Sequence, residues 1–387
     1  MKAEEIIKEA ESIAGQMILE RRFIHRAAEV GFELNKTRDF VMGTLSAIGC
    51  TPSHCGKCGV RCEIGEGERV VLLRADMDAL PIREKTDLPF QATNGNMHAC
   101  GHDMHTSMLL GAARLLKNHE RELGGRVRLM FQPAEELLAG ARDMIEGGIL
   151  DPKPEAALMI HLTLGGMKSG SVIIPDGGAT APAVSFFKIT ALGSGAHGAM
   201  PQSSRDALLA ATEIYSQLTA ISSRELSSAA RLTVGCLNGG QSANVICAES
   251  SLEGTLRAFD NEEKKRLEGR INDIALGVAL GMDIGVRVDF FAEAPALICD
   301  EKLSRAVLTF TRELFGDSVI STKDLPPSQS VGGSEDFAFI SENTPSVMIA
   351  ISAGKSGSLH APTAIFDESV LSRGSAILAY NAYKLLS

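Results

Sequence analysis

Eight residues, His98-Ala99-Cys100-Gly101-His102-Asp103-Met104-His105, place three imidazoles, one thiol and one carboxylate directly ahead of an apolar helical pattern. Thiolate and imidazole are the donors that zinc and similar divalent ions take most readily, so the first chemistry suggested is metal binding by Cys100 and His102. Met104, Met108, Leu109, Ala112, Leu115 and Leu116 recur at three- and four-residue spacing and predict a helix over residues 103–117. A thiol at the N-terminal end of that helix would lie in its positive field, which favours the thiolate. A buried cysteine among incidental histidines is the alternative that this segment leaves open.

The elements needed to hold such donors share one pattern. Val70-Val71-Leu72-Leu73 is a continuous apolar run of the kind a parallel sheet buries, and it delivers Arg74-Ala75-Asp76-Met77-Asp78 at its end. Val127 to Phe131 leads likewise to Gln132-Pro133-Ala134-Glu135-Glu136, Ala156 to Ile160 leads to His161, and Ser346 to Ile351 precedes the loop carrying His360. Open α/β sheets place their sites outside the carboxyl ends of strands, so four polar strand ends point to one site. In extended chain, the adjacent side chains of Glu135 and Glu136 would point to opposite sides, letting one bind metal while the other moves a proton. The alternative is an exposed acidic pair opening a helix ahead of Leu137-Leu138. Asp78 and Asp103 are candidates for hydrogen-bonding a ligating imidazole and fixing its tautomer.

With 387 residues, 44% of them hydrophobic, the chain exceeds the size at which a single core stops growing, and two domains are expected. A net charge of −10 argues against a nucleic-acid or anionic-membrane partner. Met1 to Gln16 is a charged amphipathic pattern without an apolar signal core, and no run approaches the ~18 apolar residues of a membrane span. A soluble, cytoplasmic protein without disulfides is therefore expected. Met1 to about Leu45 reads as two helices, with Arg21, Arg22, His25, Arg26, Glu29 and Glu33 forming a solvated or salt-bridged band. Cys50, Cys55, Cys58 and Cys62 imitate metal or redox spacing. Gly56, Gly59 and Gly65 instead punctuate a strand-turn-strand pattern, and no helix start follows Cys55, so a structural role is expected and a redox-sensitive surface is the alternative.

The middle of the chain is organised separately. Phe187, Ile189 and Ala191 alternate with Lys188 and Thr190, and the loop Gly193-Ser194-Gly195-Ala196-His197-Gly198 follows. A helix over about 204–226, strands at 231–237 and 251–259, a charged helix from Asn261 to Met282 and a last alternating strand through Val286, Val288 and Phe290 complete a βαββαβ order. The fold class expected is α/β: a mixed-sheet catalytic domain with helices on both faces, formed by 1–182 and 296–387, interrupted by an inserted α+β, ferredoxin-like domain over 183–295. Arg257 shares a strand face with Glu253 and Thr255, opposite Leu252, Leu256 and Ala258, so its guanidinium leaves the small domain's core. It could grip a substrate carboxylate or simply pair with Glu253.

His98-Ala-Cys-Gly-His-Asp103, Gln132-Pro-Ala-Glu-Glu136, Ala196-His-Gly-Ala-Met-Pro201, Asn244-Val-Ile, Gly254-Thr-Leu-Arg257, Ser334-Glu-Asp-Phe337 and Leu359-His360 together resemble the M20 metallopeptidase family. The nearest branch is that of N-acyl-amino-acid amidohydrolases, hippurate hydrolases and auxin-conjugate hydrolases. The resemblance spans nearly the whole chain. It implies that Cys100, His102, Glu136, His161 and His360 hold two divalent metal ions, with Glu135 as general base. It further implies that the inserted domain is a lid and homodimer interface, bringing His197, Asn244 and Arg257 to the substrate, with His197 reaching the partner's site. The expected reaction is hydrolysis of the amide bond of N-acyl amino acids, with dipeptide cleavage or non-catalytic metal and amino-acid binding as alternatives. Manganese or zinc is the expected metal, cobalt or nickel being compatible. Two departures bear on substrate preference: His25-Arg-Ala-Ala-Glu29 stands where the family often has His-x-x-Pro-Glu, and Gln202 stands where it often has a second histidine.

Overall fold

The structure, a computed structural model, describes residues 1–226, 230–325, 333–354 and 357–387. Two compact units emerge: Met1–Thr180, Ile298–Val331 and Asp336–Ser387 form the larger, Ala181–Leu297 with Gly332–Glu335 the smaller.

The larger unit is built on an eight-stranded mixed sheet. Its centre is four parallel strands in the spatial order Arg126–Gln132, Val70–Asp76, Ala156–Thr163 and Ser346–Ser352, so all four carboxyl ends open on one edge. Gly59–Gly65 pairs antiparallel outside Arg126–Gln132, and Val172–Ile174 pairs antiparallel outside Ser346–Ser352. Every residue of Val70–Asp76 and of Ser346–Ser352 is buried, which is why these strands read as unbroken apolar runs. Val71, Leu73 and Ala75 join a core that includes Met104, Met108 and Leu115 of the helix His102–Asn118 and Ile377 and Leu378 of the helix Leu371–Leu386. Arg74 faces the other way and is enclosed by Gln132 and Asp336, with Asp336 accepting from the Ala141 amide at the start of the Gly140–Glu146 helix. Helices thus cover both faces.

The amino-terminal stretch departs from expectation. Three helices, Ala3–Ser12, Ala14–Ala27 and Asn35–Ala47, replace the two expected. Ile13, at φ −97° and ψ 1°, interrupts what its apolar period presents as one helix, and period alone cannot register a one-residue break. The helix following the histidine-rich segment starts at His102, after Gly101 at φ +88°. A Cβ at Gly101 would lie 3.0 Å from the Phe366 ring, so both its backbone conformation and its close approach require glycine.

The smaller unit has the order strand, helix, strand, strand, helix, strand among its long elements. Its antiparallel sheet runs Ala230–Gly239, Glu249–Ala258, Ala183–Leu192, Gly285–Ala294, the arrangement of a split βαβ fold. Phe187, Ile189, Leu252 and Leu256 pack against Ile214, Leu218, Leu267 and Ile271 of the helices Ala207–Arg224 and Asn261–Met282. Asp206 and Asp260 cap those two helices by accepting from their first-turn amides.

Candidate metal centre

The parallel strands bring their ends to one place. His161 lies within its strand, level with Ala350 of the neighbouring strand. Glu135 and Glu136 follow the Arg126–Gln132 strand, and Asp76 closes the strand beside it, in register with Gln132. His360 is carried back by a loop whose His360 amide donates to the Ala99 carbonyl at 2.9 Å, one residue before Cys100. His360 itself sits at φ +63°, and Ala134, immediately before Glu135, at φ +53°. Non-glycine residues held in this sparsely populated region cluster at functional sites.

The donor atoms converge. Cys100 Sγ lies 3.6 Å from His161 Nε2 and 3.3 Å from His360 Nε2. His360 Nε2 is 3.4 Å from Glu136 Oε1, and His102 Nε2 is 3.9 Å from both Glu135 Oε2 and Glu136 Oε1. Cys100, His102 and His161 form one group able to hold an ion, and Cys100, Glu136 and His360 another, with Cys100 common to both. The imidazole tautomers suit this. His102 Nδ1 donates to the Asp78 carbonyl at 2.8 Å and His161 Nδ1 to the Leu162 carbonyl at 2.8 Å, which leaves each Nε2 facing inward as the atom that would bind an ion. His102 Nε2 and Glu136 Oε1 are buried and make no hydrogen bond, as befits donors that a cation would complete.

Electrostatics reinforce the arrangement. Burial opposes ionisation of Cys100, yet His102 and His161 outweigh it and bring the thiol down to about 6. Hydrogen bonding to Cys100 and Glu136 raises His360 to about 10. Burial works against charge on Glu136 too, but His360 and His102 hold its carboxyl below the usual range. Without metal, then, the donors neutralise one another as thiolate, carboxylate and imidazolium.

Three sequence expectations change here. Glu135 and Glu136 are not in extended chain: they occupy a turn in which the Leu138 amide donates to the Glu135 carbonyl at 2.7 Å, with Leu138 at φ +54°. Both carboxylates therefore face His102 instead of opposite sides. Asp78 does more than contact an imidazole, since its two carboxylate oxygens accept the Glu135 and Glu136 amides at 3.1 Å each and pin that turn. Asp103 holds no metal-facing imidazole; it forms an ion pair with Arg21 at 2.6 Å and accepts from His25 at 2.8 Å. Arg21 and His25, expected on a solvated or salt-bridged band, are salt-bridged, and they are buried as well.

Asp76 and His105 escaped sequence reasoning. His105 Nδ1 donates to Asp76 at 2.6 Å while its Nε2 accepts from the Leu162 amide at 2.9 Å, so neither ring nitrogen is left for an ion. Burial, only partly offset by Asp76, lowers His105 to about 4 and keeps it neutral. Asp76 also accepts from Arg74 at 2.7 Å, and its position at a strand end was the signal that could have found it. Cys50, Cys55, Cys58 and Cys62 are free and buried, and among the described residues none belongs to a group able to hold an ion.

In the smaller unit His197 is exposed on a short two-stranded ribbon, paired with Val245. Its Nδ1 accepts from the Ala199 amide at 3.1 Å, which leaves Nε2 as a donor. Asn244, also exposed, accepts from Ser242 at 2.6 Å through its side-chain oxygen, orienting its amide nitrogen away. Arg257 is half-buried and donates to Ser334 at 2.8 Å, while Glu253 pairs with Lys188 at 2.9 Å. Gln202 lies exposed in the turn Pro201–Ser203.

Residues 72–384 match the profile of peptidase family M20/M25/M40. The chain is 35% identical over 383 residues to N-acetyl-L-cysteine deacetylase of Bacillus subtilis (strain 168), covering 96% of this chain and 88% of the relative. It is 31% identical over 387 residues to hippurate hydrolase of Campylobacter jejuni, covering 98% and 99%. Among solved structures, a Bacillus subtilis protein described as a dinuclear metal binding peptidase from this family superposes with a TM-score of 0.81 at 29% identity, covering 97% of this chain and 99% of that one.

Proposed function

The chain belongs to peptidase family M20/M25/M40, and from that premise we propose that it is a dinuclear-metal amidohydrolase that cleaves N-acyl amino acids to a carboxylic acid and a free amino acid. The observation that carries this reading is the convergence of Cys100, His102, Glu136, His161 and His360, two donor groups sharing one sulfur, with Glu135 beside them. Those five residues would hold the ions, manganese or zinc foremost, and when bound the ions supply Lewis acidity to an amide carbonyl and acidify water. Glu135, fixed by its amide to Asp78, takes the proton of the attacking water and returns it to the leaving amine nitrogen. The likeness to enzymes named for acyl-amino-acid hydrolysis supports the substrate class.

Recognition falls to the smaller unit, which in this reading is the lid and homodimer interface. The donor Nε2 of His197 stabilises charge developing on the carbonyl oxygen, from the partner subunit's lid. Arg257 takes the free carboxylate of the amino-acid half. Its support is that Glu253, the acid it would otherwise pair with, is engaged by Lys188. Glu135→Gln tests the chemistry: it should retain bound metal while the rate falls by about 10²–10⁴-fold. Loss of metal instead would reverse the roles of the two glutamates.

A further inference from the structure

Behind the donor cluster lies a second buried cluster that the reaction above does not use. His25, 1% exposed, sits between two carboxylates: its Nδ1 is 2.8 Å from Asp103 Oδ2, and its Nε2 is 3.1 Å from both oxygens of Glu84. An ionised carboxylate only accepts hydrogen bonds, so an imidazole satisfying one on each side must donate from both nitrogens and carry a positive charge. The surroundings balance in that state. Arg21 Nε lies 2.6 Å from Asp103 Oδ2 and so pairs with the same carboxylate, while Arg21 Nη2, 3.3 Å from His25 Nδ1, is a donor facing a donor and opposes the charge that Asp103 and Glu84 favour. Arg21 reaches out to Glu368 at 3.3 Å, a residue it shares with Arg22. Glu84 also accepts from the Ala92 amide at 2.8 Å and from Thr86. The His98 ring, 6.1 Å away, and the Phe90 edge, 5.3 Å away, complete the enclosure. Two cations, Arg21 and His25, thus face two anions, Asp103 and Glu84.

We propose that His25 is a positioning residue for the metal-ligand segment, an imidazolium clamp tying Asp103, the residue next to His102, to the loop containing Glu84. The proposal rests on reading Cys100 and His102 as ligands. Asp103 opens the same helix as His102, and the clamp holds that helix start against the Ala14–Ala27 helix. Without the clamp's charge, Asp103 keeps Arg21 but Glu84 loses its cation, and the repulsion between the two carboxylates falls on the residue adjoining a ligand. Burial opposes charge on His25, but hydrogen bonding to Asp103 and Glu84 outweighs it, in agreement with the geometry.

The test is zinc affinity of the metal-free full-length protein, measured by competition with a chromophoric chelator. His25→Gln should weaken zinc binding by about 10–100-fold, the range for removing an outer partner of a metal ligand. Adding Glu84→Gln, which removes the unbalanced anion, should restore most of it. Wild-type affinity in His25→Gln, or no recovery in the double variant, overturns the proposal. Cys100→Ser in the same assay separates the two readings: undiminished affinity there sinks the ligand assignment underneath, whereas a loss there beside an unchanged His25→Gln sinks the clamp alone. If His25→Gln does not fold, the zinc-loaded protein labelled with 15N-histidine decides, in a His119→Gln background that removes a second histidine raised by Glu122 and Glu9. One histidine with both ring nitrogens protonated at pH 7.5 supports the clamp, and none overturns it.

Discussion

The metal-facing cluster of the larger unit and the candidate recognition residues of the smaller unit are built on opposite principles. Around Cys100 the donors are cross-braced and all but one are wholly or partly buried: His102 is held by the Asp78 carbonyl, the glutamate turn by the Asp78 carboxylate, and the exposed His360 by Ala99 through its backbone. In the smaller unit His197 is exposed on a two-residue ribbon and Asn244 is exposed just before its partner strand, while Arg257 lies half-buried on the open face of its sheet. A group that must hold ions or move protons needs its geometry set before substrate arrives, since a 1 Å misplacement can cost about 10²-fold in rate. A group that greets a carboxylate can wait in water and be ordered on contact. If that contrast is right, variants in the larger unit should act on metal content and rate, and variants in the smaller unit on substrate selectivity at constant metal content.

The largest expected effect comes from Cys100, the sulfur common to both donor groups. An alcohol is a far poorer anionic ligand than a thiolate, so Cys100→Ser should lower metal affinity beyond the roughly 100-fold upper range for outer partners, with activity falling in parallel. Metal analysis after dialysis checks this. Full metal occupancy with lost activity would give the sulfur a chemical role and break the contrast.

Arg257→Ala should leave metal content untouched and weaken hydrolysis of acyl amino acids by about 2–4 kcal/mol in transition-state binding, the range for truncating one partner of a desolvated charge pair. The matching acyl-amino-acid amides, which lack the carboxylate, should already be poor substrates and change little. Equal losses in kcat/KM on acids and amides would mean that Arg257 supports the fold through Ser334 instead.

Asp78 sharpens the comparison from the other direction. Releasing the two amides it holds should loosen Glu135 and Glu136 together, so Asp78→Ala is expected to cost about 10–100-fold in kcat with a partial loss of metal. A change confined to KM would place Asp78 with recognition and not with chemistry.

How much of this was legible in the sequence follows from the same contrast. Alternating and unbroken apolar runs report burial, so the parallel strands, the split βαβ order and the helix after Gly101 could be read directly, and Cys100, His102, His161 and His360 could be located at strand and helix ends. The Glu135–Glu136 turn could not. Its left-handed Ala134 and Leu138 carry no glycine or asparagine to announce them, because the Asp78 carboxylate enforces the turn from 57 residues away in sequence. The burial of Arg21 and His25 was hidden for a similar reason: charges at helical spacing look solvated until Asp103 and Glu84 arrive from other segments. The break at Ile13 leaves the apolar period intact and so leaves no trace.

A last test separates the two regions by pH, without any substitution. In the metal-free protein, Cys100 at about 6 is already ionised above pH 6, whereas His102, whose burial Asp76 and Cys100 outweigh to hold it well above the usual imidazole range, and His360, raised to about 10, still carry protons that must leave before their nitrogens can bind an ion. Zinc affinity should therefore rise with pH from about 6 to about 10, by about tenfold per unit for each proton displaced, and level off above. Below pH 6 the slope should steepen as Cys100 takes up a second proton. Arg257 stays charged throughout this range, so the preference for acids over amides should be flat where metal affinity is not. Chelator competition at several pH values measures the first quantity, and kcat/KM ratios on metal-saturated enzyme measure the second. A pH-independent zinc affinity between 6 and 9 would show that His102 and His360 are both neutral before metal binds, and would dissolve the mutual neutralisation that the donor distances imply.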